Sequence, residues 1–329
     1  MTAFDQLTPS DTVAPEWPDI SVVMPLRNGA RDLRHSVGAV LSQDYPGRLE
    51  LIIAVGPSDD DSEALARQLA EADDRMTVVD NPPGTTPSAL NAAIAASGGA
   101  VVARVDSHAV LPPGYLRRAV QTLQTTAADN VGGIQHACGQ TPFEQAVAAA
   151  MTSRFGVGNA AFHYGGHPGP TDTVYLGVFR RAALERVGGF DERLRRNQDY
   201  ELNWRIRDSG GVVWFDPRLV VDYRPRSSLP ALARQYREYG RYKRAVVRQH
   251  PRSLRARQLA APAALIANAS SLILATTGRR RFLVVPGGYL LATAVASALA
   301  GNNRQEVARL PLVFATMHHA WGWGFLVGR

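Results

Sequence analysis

The feature that most constrains the fold is an alternation of short apolar runs with helical segments in the first third of the chain. The strand-like runs are 20–26, 49–55, 76–79 and 100–105. Apolar residues with helical spacing occupy the intervals, over 32–43, 63–72 and 87–96. A strand that returns through a helix pairs in parallel with its predecessor, so this order predicts an α/β fold with a mostly parallel sheet flanked by helices.

Polar side chains follow two of these strands. An acidic loop, 58–62, comes after the second strand, and Asp106, Ser107 and His108 come after the fourth. Ligands of parallel α/β sheets bind beyond the carboxyl ends of the strands. Residues two apart on an extended chain point the same way, so Asp106 and His108 form a candidate pair of metal ligands. The alternative is that Asp106 is an ordinary turn or capping residue.

A second polar segment, 188–202, leads into a predicted helix over 199–208. A positioned carboxylate there, Asp199 or Glu201, can act as a general base toward a hydroxyl group. The alternative is that these acids only complement the helix dipole at its N-terminus.

Charge is unevenly distributed along the chain. Residues 1–223 hold 19 Arg and 27 acidic residues, a net charge of −8, whereas 224–257 hold 11 basic residues and one Glu, a net charge of +10. Such a basic block indicates a polyanionic partner, either nucleic acid or anionic lipid. A nucleic-acid-binding protein is the weaker interpretation, because apolar stretches follow the block. Cys138 is the sole cysteine, which excludes an intrachain disulfide and fits a reducing compartment.

Three apolar stretches of roughly the length that crosses a bilayer follow, over 259–277, 282–300 and 310–327. If the first spanned, three consecutive arginines, 279–281, would lie on the far side of the membrane from the basic block, against the positive-inside rule. We therefore expect a re-entrant or interfacial first stretch and a hairpin of the second and third. The alternative is a bundle of buried helices in a soluble protein.

The order of these segments resembles the family-2 glycosyltransferases, and within them the membrane-associated succinoglycan-biosynthesis branch. The segments that carry the resemblance are SVVMPLRN, SQDYPGRLELIIAVGPSDDDS, PSALNAAIAASGGAVVARVDSHA, DTVYLGVFRR, GGFDERLRRNQDYELNWRI, RQYREYGRYKRAVVRQHP and HHAWGWGFLVG. The resemblance implies a GT-A-like fold with C-terminal membrane-associated helices. It also implies a metal-dependent, inverting hexosyltransferase.

The resemblance implies roles for particular residues. Asp106 corresponds to the metal-coordinating acid of a DxD-like motif, with His108 in its third place. Asp199 corresponds to the catalytic base, and Asp60 to an acid of the nucleotide-binding loop. The donor-binding set is completed by Pro25, Arg27, Asn91 and Arg104, which lie in the matching segments.

Two positions depart from the family pattern. Val55 stands where the family usually has an Asp that contacts the nucleobase. Gln198 stands where the family frequently has an acid, directly before the catalytic base Asp199. These departures, with His108, motivate the alternative of a catalytically degenerate membrane scaffold or binding protein.

The predicted organisation is a flexible lead-in (1–19), a glycosyltransferase domain (20–223), a basic interfacial segment (224–257) and a membrane-associated helical region (258–329). The expected ligands are a nucleotide-sugar donor, Mn²⁺ or Mg²⁺, a glycan or a polyprenyl- or glycolipid-linked acceptor, and membrane lipid, with no nucleic acid. The expected location is the cell membrane, with the catalytic domain in the cytoplasm.

Overall fold

The computed structural model describes residues 17–328, so the predicted lead-in lies outside it except for its last three residues. The first seven elements are β1 (Ile20–Leu26), α1 (Ala30–Leu41), β2 (Leu49–Val55), α2 (Ser62–Ala72), β3 (Met76–Asp80), α3 (Thr86–Ala95) and β4 (Val101–Arg104). β1 pairs in parallel with β2 and β4, and β2 pairs in parallel with β3. The alternating pattern therefore predicted this half of the sheet correctly.

The second half of the sheet region is less regular. Its elements are α4 (Tyr115–Thr126), β5 (Asn130–Ala137), α5 (Pro142–Met151), α6 (Arg154–Val157), α7 (Ala161–Tyr164), β6 (Gly169–Pro170), β7 (Tyr175–Arg180), α8 (Arg181–Val187), α9 (Gln198–Asp208) and β8 (Val213–Tyr223). Within residues 17–328 the strand order is β3-β2-β1-β4-β7-β5-β8-β6. β7 is antiparallel to β4 and β5, whereas β5 and β8 are parallel. The α/β class with a mostly parallel sheet is confirmed.

Helices cover both faces of the sheet. Apolar side chains of α1, α2 and α4 pack on one face, and those of α3, α8 and α9 pack on the other. Burial of this kind stabilises the fold by roughly 25 cal/mol per Å² of apolar surface removed from water. The carboxyl ends of β1 and β4 are left open between the layers.

The sequence pattern weakens after residue 109, and α4 and β5 are among the elements that it did not predict. The buried face of α4 carries Leu116, Ala119 and Leu123 at helical spacing, a signal that the sequence does contain. β5 is harder to recognise because Gly132 and Gly133 interrupt it. A Cβ at Gly133 would lie 1.8 Å from the carbonyl oxygen of Leu219, so the approach of β8 requires a glycine there.

Four helices complete the chain: α10 (Leu229–Gln249), α11 (Ala260–Thr276), α12 (Val284–Ala300) and α13 (Arg304–Val327). In the described part of the chain, two helical stretches are long and apolar enough to cross a membrane, Ala256–Thr276 and Arg280–Ala300. The third apolar stretch forms α13, which packs on α5 and α10 through Leu310, Val313 and Phe314. The apolar pair is thus α11 with α12, and not the second and third stretches as the sequence suggested.

Candidate active site

Arg104 joins the two carboxylates that sequence analysis singled out. It is the last residue of β4, and its Nε and Nη2 atoms lie 3.0 and 2.9 Å from Oδ1 of Asp106. Its Nη1 donates to Oδ1 of Asp199, which lies in the first turn of α9. Asp106 and Asp199 therefore converge on one guanidinium at the carboxyl edge of the sheet.

The electrostatics of this triplet follow from its burial. The side chain of Arg104 is 9% exposed, against 17% for Asp106 and 38% for Asp199. Burial alone would raise the pKa of Asp106, but the Arg104 guanidinium, helped by His108 and Arg196, holds this pKa below its usual range. Burial alone would lower the pKa of Arg104, and its two carboxylate partners raise it instead. Asp106 is therefore an anion and Arg104 a cation at neutral pH.

A cavity of about 510 Å³ opens beside these residues. Five of the predicted site residues line it: Pro25, Arg27, Arg104, Asp106 and His108. A volume of this size accommodates an organic ligand larger than a single sugar. Its walls carry several arginines, which suits an anionic ligand.

Asp60 lies on the acidic loop, beside the start of α1. Its carboxylate accepts from the backbone N–H groups of Ala30 and Ser62, both at 3.1 Å. The Ser62 hydroxyl donates to it as well and is the main reason why the pKa of Asp60 is lowered. Asp60 thus ties two strand-end loops together, outside the residues that line the cavity, and its contact with a nucleotide stays a prediction.

Asn91 has a comparable positioning contact. Its Nδ2 donates to the Phe190 carbonyl at 2.9 Å, and its Oδ1 accepts from the Phe190 N–H at 2.9 Å. These bonds attach α3 to the turn at Gly189, whose φ of +72° suits glycine. Asn91 does not line the cavity, so its contact with the donor stays a prediction. Its bonds to Phe190 anchor the segment before α9.

Sequence reasoning missed the wall that α10 contributes. Glu238, Arg241 and Tyr242 line the cavity, opposite Arg195 and Arg196 of the segment before α9. Arg241 and Tyr242 follow Glu238 by three and four residues, so the three side chains share one face of α10. This spacing within the basic block was the sequence signal for a helix face that lines the site.

Two polar contacts hold α10 in this position. Arg196 bonds Glu238 at 3.1 Å, and Asn197 donates to the Tyr239 carbonyl at 2.9 Å. The basic segment is therefore part of the site as well as a charged surface.

The residues at the cavity floor fit a divalent cation together with a diphosphate. Arg104 engages Oδ1 of Asp106, and His108 lines the same cavity. The two residues lie in a turn that follows β4, closed by the bond from the Ala109 N–H to the Asp106 carbonyl, and not on an extended strand as the sequence suggested. Mg²⁺ and Mn²⁺ are commonly held by one or two protein ligands, with substrate phosphates completing the shell. A carboxylate with an imidazole is a donor set that Mn²⁺ accepts well.

Comparison with known proteins decides the family. Residues 21–188 match the family model described as "Glycosyl transferase family 2". The chain belongs to this family. It is 30% identical over 309 residues to the succinoglycan biosynthesis protein ExoA of Rhizobium meliloti (strain 1021), covering 92% of this chain and 93% of that protein. The resemblance inferred from the sequence segments is confirmed.

Two further relatives extend the comparison. Glycosyltransferase AglE of Haloferax volcanii is 28% identical, covering 67% of this chain and 71% of that protein. The mannosyltransferase PcManGT from Pyrobaculum calidifontis, solved in complex with GDP-Man and Mn²⁺, superposes with a TM-score of 0.65 at 22% identity, covering 93% of this chain and 86% of that one. The GT-A-like fold of this family-2 chain is confirmed.

Proposed function

We propose that this family-2 glycosyltransferase moves a sugar, by a single inverting displacement, from a nucleotide-sugar donor to a glycan or lipid-linked acceptor at the cytoplasmic face of a membrane. The observation that carries the proposal is the bridge from Asp106, which lines the cavity, through Arg104 to Asp199, which does not line it but is 38% exposed. One carboxylate faces the donor diphosphate, and the other is accessible to an acceptor.

The donor diphosphate is assigned to the basic part of the cavity. Arg27, Arg104 and Arg195 line it, and preorganised cations of this kind stabilise the charge that develops on a leaving diphosphate. Asp106 and His108 would hold a divalent cation there, which when bound neutralises part of the diphosphate charge. The complex of PcManGT with GDP-Man and Mn²⁺ supports this choice of donor and ion class.

Asp199 is assigned the proton transfer. It is the more exposed of the two carboxylates, and Arg104 fixes its orientation through Oδ1. As the acceptor oxygen attacks the anomeric carbon, its proton passes to Asp199, and the bond from that carbon to the diphosphate breaks on the opposite face. Gln198 lines the cavity beside it, but an amide cannot accept this proton, so the chain relies on one carboxylate.

Membrane attachment is assigned to α11 and α12. Both stretches are long enough to cross a membrane, but a first stretch that spanned would place the arginines at 279–281 on the far side from α10. We therefore infer that the pair lies within the cytoplasmic leaflet. The arginines at 279–281 then stay on the same side as the basic helix α10, in keeping with the positive-inside rule.

Cysteine labelling tests the sidedness. An Arg280→Cys variant in a Cys138→Ser background carries a single thiol between α11 and α12. In intact cells a membrane-impermeant maleimide should leave this thiol unlabelled, and it should label the thiol after the cells are opened. Labelling of intact cells would contradict the cytoplasmic placement.

Donor turnover tests the function itself. Purified protein with Mn²⁺ is incubated with a panel of nucleotide sugars, and nucleoside diphosphate release is followed. We expect release from one donor class, and loss of metal-dependent donor binding in Asp106→Ala. A protein that binds donors without turning over any of them would favour the degenerate scaffold that Val55, His108 and Gln198 motivate.

A further inference from the structure

A second group of metal-ligating side chains lies at the same carboxyl edge of the sheet, where β5 and β8 end, two and three strands from β4. His136 of β5 pairs in parallel register with Asp222 of β8. Cys138 follows His136 by two residues, and its backbone N–H donates to the Tyr223 carbonyl at 2.8 Å, which continues the pairing by one step. Since residues two apart on a strand share a face, strand register alone brings the thiol, the imidazole and the carboxylate together.

The three donor atoms are mutually in contact. Nδ1 of His136 lies 2.8 Å from Oδ1 of Asp222 and 3.1 Å from Sγ of Cys138, and the sulfur lies 3.5 Å from the same carboxylate oxygen. Metal–ligand bonds of about 2.0–2.3 Å at tetrahedral angles place such donors about 3.3–3.6 Å apart. The three donor atoms therefore reach the spacing of one face of a zinc tetrahedron if the two shorter distances lengthen by about half an ångström each.

The pattern of contacts differs from that of a hydrolytic triad. In a nucleophilic triad the imidazole contacts the nucleophile through one ring nitrogen and the carboxylate through the other. Here the same atom, Nδ1, faces both Sγ and Oδ1. Convergence of three donors on one point suits a shared cation.

We propose that His136, Cys138 and Asp222 form a transition-metal site of the kind that takes Zn²⁺, separate from the donor-binding site. A thiolate favours Zn²⁺ over Mn²⁺ or Mg²⁺, so the two sites select different ions. The side chains of His136 and Asp222 are 55% and 74% exposed, which leaves an entry path and room for a fourth ligand from water.

The position of the site means that a bound ion would fix the start of α10. Asp222 is one residue from the end of β8, and the chain runs from there into α10, which forms one wall of the active-site cavity. An ion at this point clamps the end of β8 to β5. The first turn of α10 is thereby fixed relative to the sheet that carries Arg104.

Cobalt is a suitable probe because Cys138 is the only cysteine in the chain. The full-length protein in detergent, stripped of metal and kept reduced, is titrated with Co²⁺ and followed by its sulfur-to-cobalt charge-transfer absorption. We expect one saturable site per chain, displaced by Zn²⁺. Asp106→Ala should keep the band, since the donor-binding site contains no sulfur.

Two variants separate a built site from a lone thiol. Cys138→Ser should abolish the band, and Asp222→Asn, which keeps the thiol, should weaken Co²⁺ and Zn²⁺ binding at least tenfold. The wild-type protein without a charge-transfer band would overturn the proposal, and so would an Asp222→Asn protein with unchanged affinity. Far-UV circular dichroism of each variant checks that the fold is retained.

Discussion

Two consecutive helices, α12 and α13, are both apolar and yet face opposite environments. In α12, Leu290, Leu291 and Leu299 are 65%, 66% and 83% exposed. In α13, Leu310 and Phe314 are fully buried against α5 and α10. In the described part of the chain only the α12 stretch of this pair is apolar enough to be a candidate membrane span, although α13 carries an apolar run of similar length.

Glycines explain the difference. A Cβ at Gly324 of α13 would lie 2.0 Å from the Arg237 carbonyl oxygen, and one at Gly240 of α10 would lie 2.0 Å from the Trp321 carbonyl oxygen. The two backbones can approach this closely only because both positions lack side chains. Gly287 and Gly288 of α12 have no atom within 4 Å of such a Cβ. Thus α13 packs on α5 and α10, whereas α11 and α12 present an exposed apolar surface, which we propose meets lipid.

The largest effect is expected from making that outer surface polar. We predict that the triple variant Ile273→Ser, Leu291→Ser, Leu299→Ser lowers partitioning into anionic vesicles at least a hundredfold, because each inserted aliphatic side chain contributes about 1.5–3 kcal/mol. Vesicle co-sedimentation measures it. The matched control is Val110→Ser on the catalytic domain, which is 49% exposed. Equal vesicle binding by the triple variant and the wild type would contradict the proposal that α11 and α12 bind the membrane.

A smaller effect is expected at the tight helix pair. Gly324→Ala should lower the free energy of unfolding by about 1–3 kcal/mol, since the added methyl group must push α13 away from α10. Gly287→Ala, an open position in α12, should be neutral or stabilising, because alanine favours a helix over glycine by up to about 1 kcal/mol. Denaturant unfolding in detergent compares them. Equal destabilisation of both variants would contradict the distinction between the helices.

The effect that is smallest per unit of pH tests whether α10 is a packed helix rather than a solvated basic one. Lys243 is buried, with Nζ 3.5 Å from the centre of the Tyr200 ring, and burial lowers its pKa to about 7. Between about pH 7 and the ordinary lysine pKa of 10.5, Lys243 is protonated in the unfolded chain and has released its proton in the folded chain. The free energy of unfolding should therefore rise with pH across this window, by up to about 1.4 kcal/mol per unit.

Lys243→Met should remove this slope and raise stability most below about pH 7, where the wild type carries a buried charge. Arg248→Met, at an exposed position of the same helix, should leave the slope intact. Thermal or denaturant unfolding across pH 6 to about 10 compares the three proteins. Parallel profiles for wild type and Lys243→Met would contradict the burial of Lys243.

The sheet was predictable where each strand is apolar and uninterrupted. β1 and β2 were delimited correctly because both faces of a parallel sheet are covered, so all their residues except Ser21 and Glu50 are apolar. β5 was not, because its glycines serve a close approach of β8 that no local pattern encodes. The start of α3 lies one residue before the predicted start at 87, because the Thr85 side chain caps the helix and Pro87 is tolerated at the second helical position.

The candidate site was predictable from strand ends and less so from distant packing. Asp106 and His108 follow β4, so their place at the carboxyl edge followed from topology. The wall from α10 depends on contacts such as Arg196 with Glu238, 42 residues apart along the chain, and periodicity does not reveal such pairs. Asp60 and Asn91 fall near the cavity but use their polar atoms to position neighbouring loops.

The most direct test of the account is the behaviour of Asp199→Asn in donor binding and in transfer. The substitution keeps the size of the side chain and a contact to Arg104, but it removes the proton acceptor. The account predicts donor affinity close to that of the wild type with Mn²⁺, and a turnover lower by roughly 10²–10⁴-fold. Near-normal turnover would contradict it, because the convergence of Asp106 and Asp199 on Arg104 would then have no part in catalysis.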